Sequence, residues 1–196
     1  ITHINLTHRN WTAVGSPDFD ELPIVDPRGL VTPFLDGWSI DSWLIDETDS
    51  VLLPSRVKYC EQTLDLSNGV VVITTTSQND LVITSEVSVI LQAEQVICQI
   101  KVTASGSKAK FLVMALRPYN PEGVSFIHQV KLSQDKSCWT VDNEKNIQFN
   151  ASADHYHVSD YKQGDVYIHL KDAINQDQGR CDVGMTTAAL LFELPE

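Results

Sequence analysis

Positive charge is scarce in this chain: 14 Lys and Arg stand against 26 Asp and Glu, a formal net charge of -12. That balance argues against nucleic acid and against an anionic membrane as partners, since both need concentrated positive charge. Hydrophobic runs are short. None reaches the roughly 18 residues that a membrane-spanning helix requires, and "ITHINLTHRN" at the start lacks the basic residues and apolar core of a secretory signal. Cysteine is sparse and scattered, at Cys60, Cys98, Cys138 and Cys181, with no CxxC pair, so no zinc or redox motif is supported. No HExxH pattern, phosphate loop or GxSxG elbow occurs. No cofactor and no bound metal are expected. Amphipathic helices, internal repeats and low-complexity tracts are missing too.

What is present describes a globular all-β protein. The 196 residues are 42% hydrophobic and 20% charged, enough for a sizeable core within one β domain. From Leu81 to Leu91 one face carries Leu81, Ile83, Val87, Val89 and Leu91, broken only by Ser85. "QVICQIKVTA", Gln95–Ala104, alternates in the same way, which marks half-buried strands. "AKFLVMAL", Ala109–Leu116, is apolar on both faces and reads as a central strand covered on both sides. Further strands are expected at Val57–Leu66, Val70–Thr76, Val124–Leu132, Val166–Leu170 and Thr186–Leu194. Polar turns separate them at Ser67–Gly69, Ser77–Asp80, Ser105–Ser107 and Asn143–Asn146. Regular spacing with short turns predicts a large antiparallel β-sandwich spanning residues 1–196 as one domain. Cys60 and Cys98 fall inside strand patterns, where reduced thiols are the usual state. Sequons at Asn5, Asn10 and Asn150 carry meaning only in a glycosylating secretory pathway.

Residues 1–55 have a different texture. "SPDFDELPIVDPRGLVTPFLDGWSIDSWL" gathers Pro17, Pro23, Pro27, Pro33, Trp38 and Trp43, and reads as an elaborated lead-in with short strands near Pro23–Val25 and Trp38–Leu44. Alternation puts Trp38, Ile40 and Ser42 on one face and Ser39, Asp41 and Trp43 on the other. Trp beside Asp suits a sugar, the ring covering C–H faces while the carboxylate accepts hydroxyl protons; it equally suits a loop anchored to a sheet. Asp36 and Asp41 have the residue type of a glycosidase carboxylate pair, although aspartates in a turn-rich stretch are commonly turn formers. In "HYHVSD", His155 and His157 share a strand face near Asp154 and Asp160, with His169 a conceivable third metal ligand; a solvated surface pair is the simpler reading.

"LRPYNPEGVSFIHQV", Leu116–Val130, joins strand patterns through an unusually rich corner. Pro118 removes a ladder donor and Pro121 fixes the next bend, so the corner is stiff by construction. Arg117 can bond the carbonyls of the bend or pair with a carboxylate on an adjoining domain. Tyr119 and Asn120 stand beside it.

Together "IVDPRGLVTPFLDGWSIDSWL", "LRPYNPEGVSFI" and "GMTTAALLFEL" resemble the N-terminal β-sandwich of bacterial glucoamylase-like and amylo-1,6-glucosidase-like proteins, the six-hairpin glycosidase group. The likeness covers about Trp11 to Leu194. It implies that this chain is a piece of a larger one, in keeping with its Ile1 start and its "LLFELPE" ending, and that an (α/α)6 catalytic barrel follows. In that group the acid and base carboxylates lie in the barrel, so no catalytic residue is carried over. What the resemblance implies for Asp36, Trp38, Asp41, Trp43, Arg117, Tyr119 and Asn120 is a surface that faces the barrel or an oligosaccharide. The alternative is a self-standing carbohydrate-binding module.

Overall fold

The computed structural model describes residues 10–15, 21–92, 94–172 and 175–195; the Asn5 sequon lies outside them. The strands begin with β1 (Thr12–Ala13), β2 (Ile24–Val25), β3 (Val31–Thr32), β4 (Ser39–Asp46), β5 (Val51–Leu52) and β6 (Cys60–Asp65). They continue with β7 (Val71–Gln78), β8 (Leu81–Gln92), β9 (Gln95–Ser105), β10 (Ala109–Arg117), β11 (Tyr119–Asn120) and β12 (Gly123–Val124). The last are β13 (Gln129–Leu132), β14 (Cys138–Val141), β15 (Lys145–Gln148), β16 (His155–Ser159), β17 (Gln178–Arg180) and β18 (Thr187–Glu193). Among the described residues the helical segments are two 3-10 turns, Pro54–Arg56 and Val166–His169.

The central sheet runs β1-β2-β3-β4-β10-β18-β16, with β5 on β4. Two four-stranded sheets, β6-β7-β8-β9 and β15-β14-β13-β17, and the small β11-β12 hairpin complete an all-β sandwich. Strand β10 is central in fact: it pairs antiparallel with β4 and β18, and Val113, Met114, Ala115 and Leu116 are all buried. On one face Trp38, Ile40, Met114, Leu116 and Leu190 meet Val130 and Trp139 of the β13–β15 layer. Leu44 on the same face of β4 joins Leu81 and Ile83 of the other sheet. The opposite face, with Trp43, Val113, Ala115, Ala189 and Leu191, is roofed by Leu53 beside the first 3-10 turn and by Val166 and Leu170 of the second. Ala115 and Ala189 stand side by side in the register, and their small side chains leave room for that roof.

Ser85, the one polar break in its strand's inner face, is buried beside Gly29. Gly29 has φ +85°, and a Cβ there would come within 3.2 Å of Thr74, so the turn needs both the conformational freedom and the missing side chain. All four cysteines are free thiols, and burial pushes that of Cys98 up to about 12.

Two expected strands take another form. Val166–Leu170 is a 3-10 turn followed by its cap, because the Asp165 carboxylate accepts the Tyr167 amide at 2.8 Å and starts a helical turn where apolar β-branched residues suggest a strand. Val124–Leu132 is interrupted at 125–128, where Ser125 N–H donates to Pro118 O and Ile127 N–H to Gly184 O, bending the chain between β12 and β13.

Candidate functional site

The sequence candidates converge at one end of the central sheet. Antiparallel pairing of β4 with β10 sets Arg117 opposite Ser39 and Ala115 opposite Asp41. Beyond the ladder, the turn at 34–37 and the corner at 118–125 are stitched together. Asn120 Nδ2 donates to Gly37 O at 2.9 Å, and Ser125 Oγ donates to Asp36 O at 3.0 Å. Asn120 Oδ1 meanwhile accepts the amides of Glu122 and Gly123 at 2.8 and 3.1 Å, which closes the β11–β12 hairpin. Asp36 sits exposed in the turn with φ +53°, a conformation that Asp tolerates better than most residues.

Arg117 is the hub. Its guanidinium grips Asp165 in a fork: Nη1 donates to Oδ1 at 2.8 Å and Nη2 to Oδ2. Nε points to the Tyr119 hydroxyl at 3.3 Å, and the cation lies 5.3 Å from the ring centroids of both Trp43 and Tyr119. The carboxylate partner therefore belongs to the same chain. Burial works against both charges, but the hydrogen bond to Asp165 holds the guanidinium above its ordinary range, and Arg117 holds the Asp165 carboxyl below its own. Burial also raises Tyr119, against the opposing pull of Arg117.

Asp41 is the unusual group. Burial pushes its carboxyl up to about 6, more than the Trp43 indole and Arg117 pull it down. The indole nitrogen of Trp43 is itself buried and, among the described residues, meets no acceptor at full hydrogen-bond geometry. Asp36 on an exposed turn and Asp41 inside the protein do not flank an open cleft as an acid–base pair must. Both tryptophans are also buried. Trp38 packs edge-on against Phe34 at 5.1 Å, and Trp43 edge-on against Tyr167 at 6.0 Å, so neither ring presents an open face to solvent.

Asp165, 48 residues from Arg117, escapes the sequence reading. The signal for it was local: Asp directly before "VYIH" is a helix-capping pattern. It fastens the segment 160–172 across the sheet, where Val166 N–H donates to Thr187 Oγ1 at 2.9 Å and Ser159 Oγ to Gly164 O at 2.6 Å. His157 and His169 stack at 4.6 Å and 18°, while His169 Nδ1 meets Asp172 at 2.6 Å. His155 and His157 do share a face of β16, but His155 turns edge-on to Phe111 at 5.5 Å. Among the described residues no three His, Cys, Asp or Glu side chains are grouped to hold a metal ion.

No known family model matches the sequence, and no curated protein matches it. The fold is similar to that of a bacterial glucoamylase whose crystal structure contains acarbose, with a TM-score of 0.59 and 14% identity. The likeness covers 93% of this chain and 32% of the glucoamylase. The chain thus spans about a third of that protein's length.

Proposed function

We propose that this chain is the noncatalytic N-terminal β-sandwich domain of a multidomain glycoside hydrolase acting on α-glucans or related sugars. It packs against a downstream (α/α)6 barrel that carries the acid and base. The observation that carries this reading is the fold likeness to a glucoamylase, which takes in nearly all of this chain and only a third of the other. The burial of Asp41, with its carboxyl shut inside the protein beside the equally buried Asp26 and not on an open cleft, supports a noncatalytic role.

In this reading the Asp36–Trp38 turn and the Arg117–Ser125 corner form the barrel-facing end. Arg117 works from inside, as the brace that keeps the end rigid, and the exposed Leu35 and Val124 are the surface that meets the barrel. Two observations test it. A reading frame that continues beyond Glu196 into helical hairpins is expected, and the barrel expressed separately is expected to bind this chain. A frame without helical hairpins, or a barrel that does not associate, overturns the reading.

A further inference from the structure

A second surface lies on the layer formed by β13, β14 and β17, away from the Arg117 hub. An open groove of about 510 Å³ is lined by His128, Gln129, Asp142, Asn143, Glu144, Arg180 and Asp182. Register builds it: Gln129 pairs directly with Arg180 across β13 and β17. The β14–β15 turn is pinned over the same strand, because Asp142 Oδ1 accepts the His128 and Gln129 amides at 2.9 and 2.7 Å. Asn143 Nδ2 donates to Gln129 Oε1 at 3.2 Å, which orients two amide side chains toward the groove's rim.

At the edge stands Phe126, 60% exposed and 6.2 Å from the His128 ring. Its seat is shaped by Gly184, where φ is +70° and an added Cβ would strike the Phe126 side chain at 2.7 Å. The bare glycine therefore lets the near side of Phe126 seat against the backbone, while most of the side chain stays open to water.

The chemistry of the lining selects the ligand. Three carboxylates against one guanidinium disfavour an anion, and the carboxylates are not grouped to coordinate a cation. Arg180 Nε pairs with Asp182 Oδ1 at 3.4 Å, while among the described residues the Glu144 carboxylate and the His128 ring nitrogens take no side-chain hydrogen bond, so acceptors and donors both line an open space beside an exposed aromatic ring. A neutral polyhydroxylated molecule satisfies all of these at once, its hydroxyls meeting carboxylate, amide, imidazole and guanidinium while C–H groups lie on the ring. We propose that the groove edged by Phe126 is a binding site for a neutral oligosaccharide. The choice of a glucan as first probe rests on the glycoside hydrolase reading above; the site itself rests on the groove.

The test is a titration of the purified chain with maltotriose, and separately with cellotriose, followed by amide chemical shifts. Saturable shifts clustered on Gln129, Asn143, Arg180 and Asp182 are expected with at least one trisaccharide, with millimolar affinity. Phe126→Ala should weaken binding about fivefold. Glu144→Gln, on an exposed turn, should weaken it while leaving the rest of the spectrum in place. Absence of saturable shifts with both sugars overturns the site, as do shifts elsewhere on the surface or an affinity indifferent to Phe126→Ala. Calcium ions perturbing the same amides where sugars do not would overturn it in favour of a cation. None of these results bears on whether a catalytic barrel follows, so failure here is distinct from failure of the proposed function.

Discussion

Replacing Arg117 by Ala should destabilise this chain by an amount the geometry sets. Its side chain is 10% exposed and that of Asp165 is 40% exposed. Removing one partner of a fully buried ion pair costs about 3–5 kcal/mol, mostly from the charge left behind. Here water reaches Asp165 and screens its orphaned carboxylate, which lowers the figure. The lost packing against Trp43 and Tyr119 restores part of it. About 2–3 kcal/mol remains, or roughly 5–10 °C in Tm for a chain of this size. Asp165→Asn separates the charge from the cap, since Asn still accepts the Tyr167 amide. A cycle of Arg117→Met with Asp165→Asn, read by urea denaturation, should show a coupling of about 1–2 kcal/mol. Because the folded Asp165 carboxyl titrates below its ordinary value, the coupling should be complete above about pH 4 and fade as pH falls through the folded value. An Arg117→Ala protein melting within about 1 °C of the parent, against the several degrees expected from such a pair, would refute the bracing role.

Asp41 predicts the opposite sign. Its carboxyl titrates at about 6 when folded against 3.8 ordinarily, so ionising it weakens the fold progressively between those values and fully above them. Asp41→Asn should therefore be more stable than the parent at pH 7 by about 1–3 kcal/mol, a gain that disappears below pH 4 in paired denaturation curves. Thr187→Val should cost about 1–3 kcal/mol by orphaning the Val166 amide, and hydrogen exchange at Val166 should accelerate. Ala189→Leu should overpack the roofed face and displace the second 3-10 turn at a cost of about 1–3 kcal/mol, visible as altered near-ultraviolet dichroism from Trp43.

The long strands were legible because each offers many alternations. Strand β8 repeats its pattern over 12 residues and β9 over 11, and β10 announces its central place by being apolar on both faces. By contrast, β13, β14 and β15 have four residues each. Two alternations do not distinguish a strand from a loop: β13 lies inside the run expected over Val124–Leu132, whereas β14, β15 and β17 of the same layer offer too few residues to be read. The site was half legible. The turn at 36 and the corner at 117–120 stood out by composition, and the structure does bring them together. The Arg117–Asp165 contact depends on a segment crossing the sheet face, which no local pattern encodes. Nor did "WSIDSWL" reveal that its two tryptophans are buried: alternation assigns faces, but does not say whether a second layer covers each of them.

The central claim is that this chain supports hydrolysis without performing it. The direct measurement is glucose release by the purified chain from maltose and isomaltose oligosaccharides. The account predicts no turnover by the parent, by Asp36→Asn or by Asp41→Asn. Measurable turnover that vanished in either variant would contradict it and make the chain an enzyme in its own right.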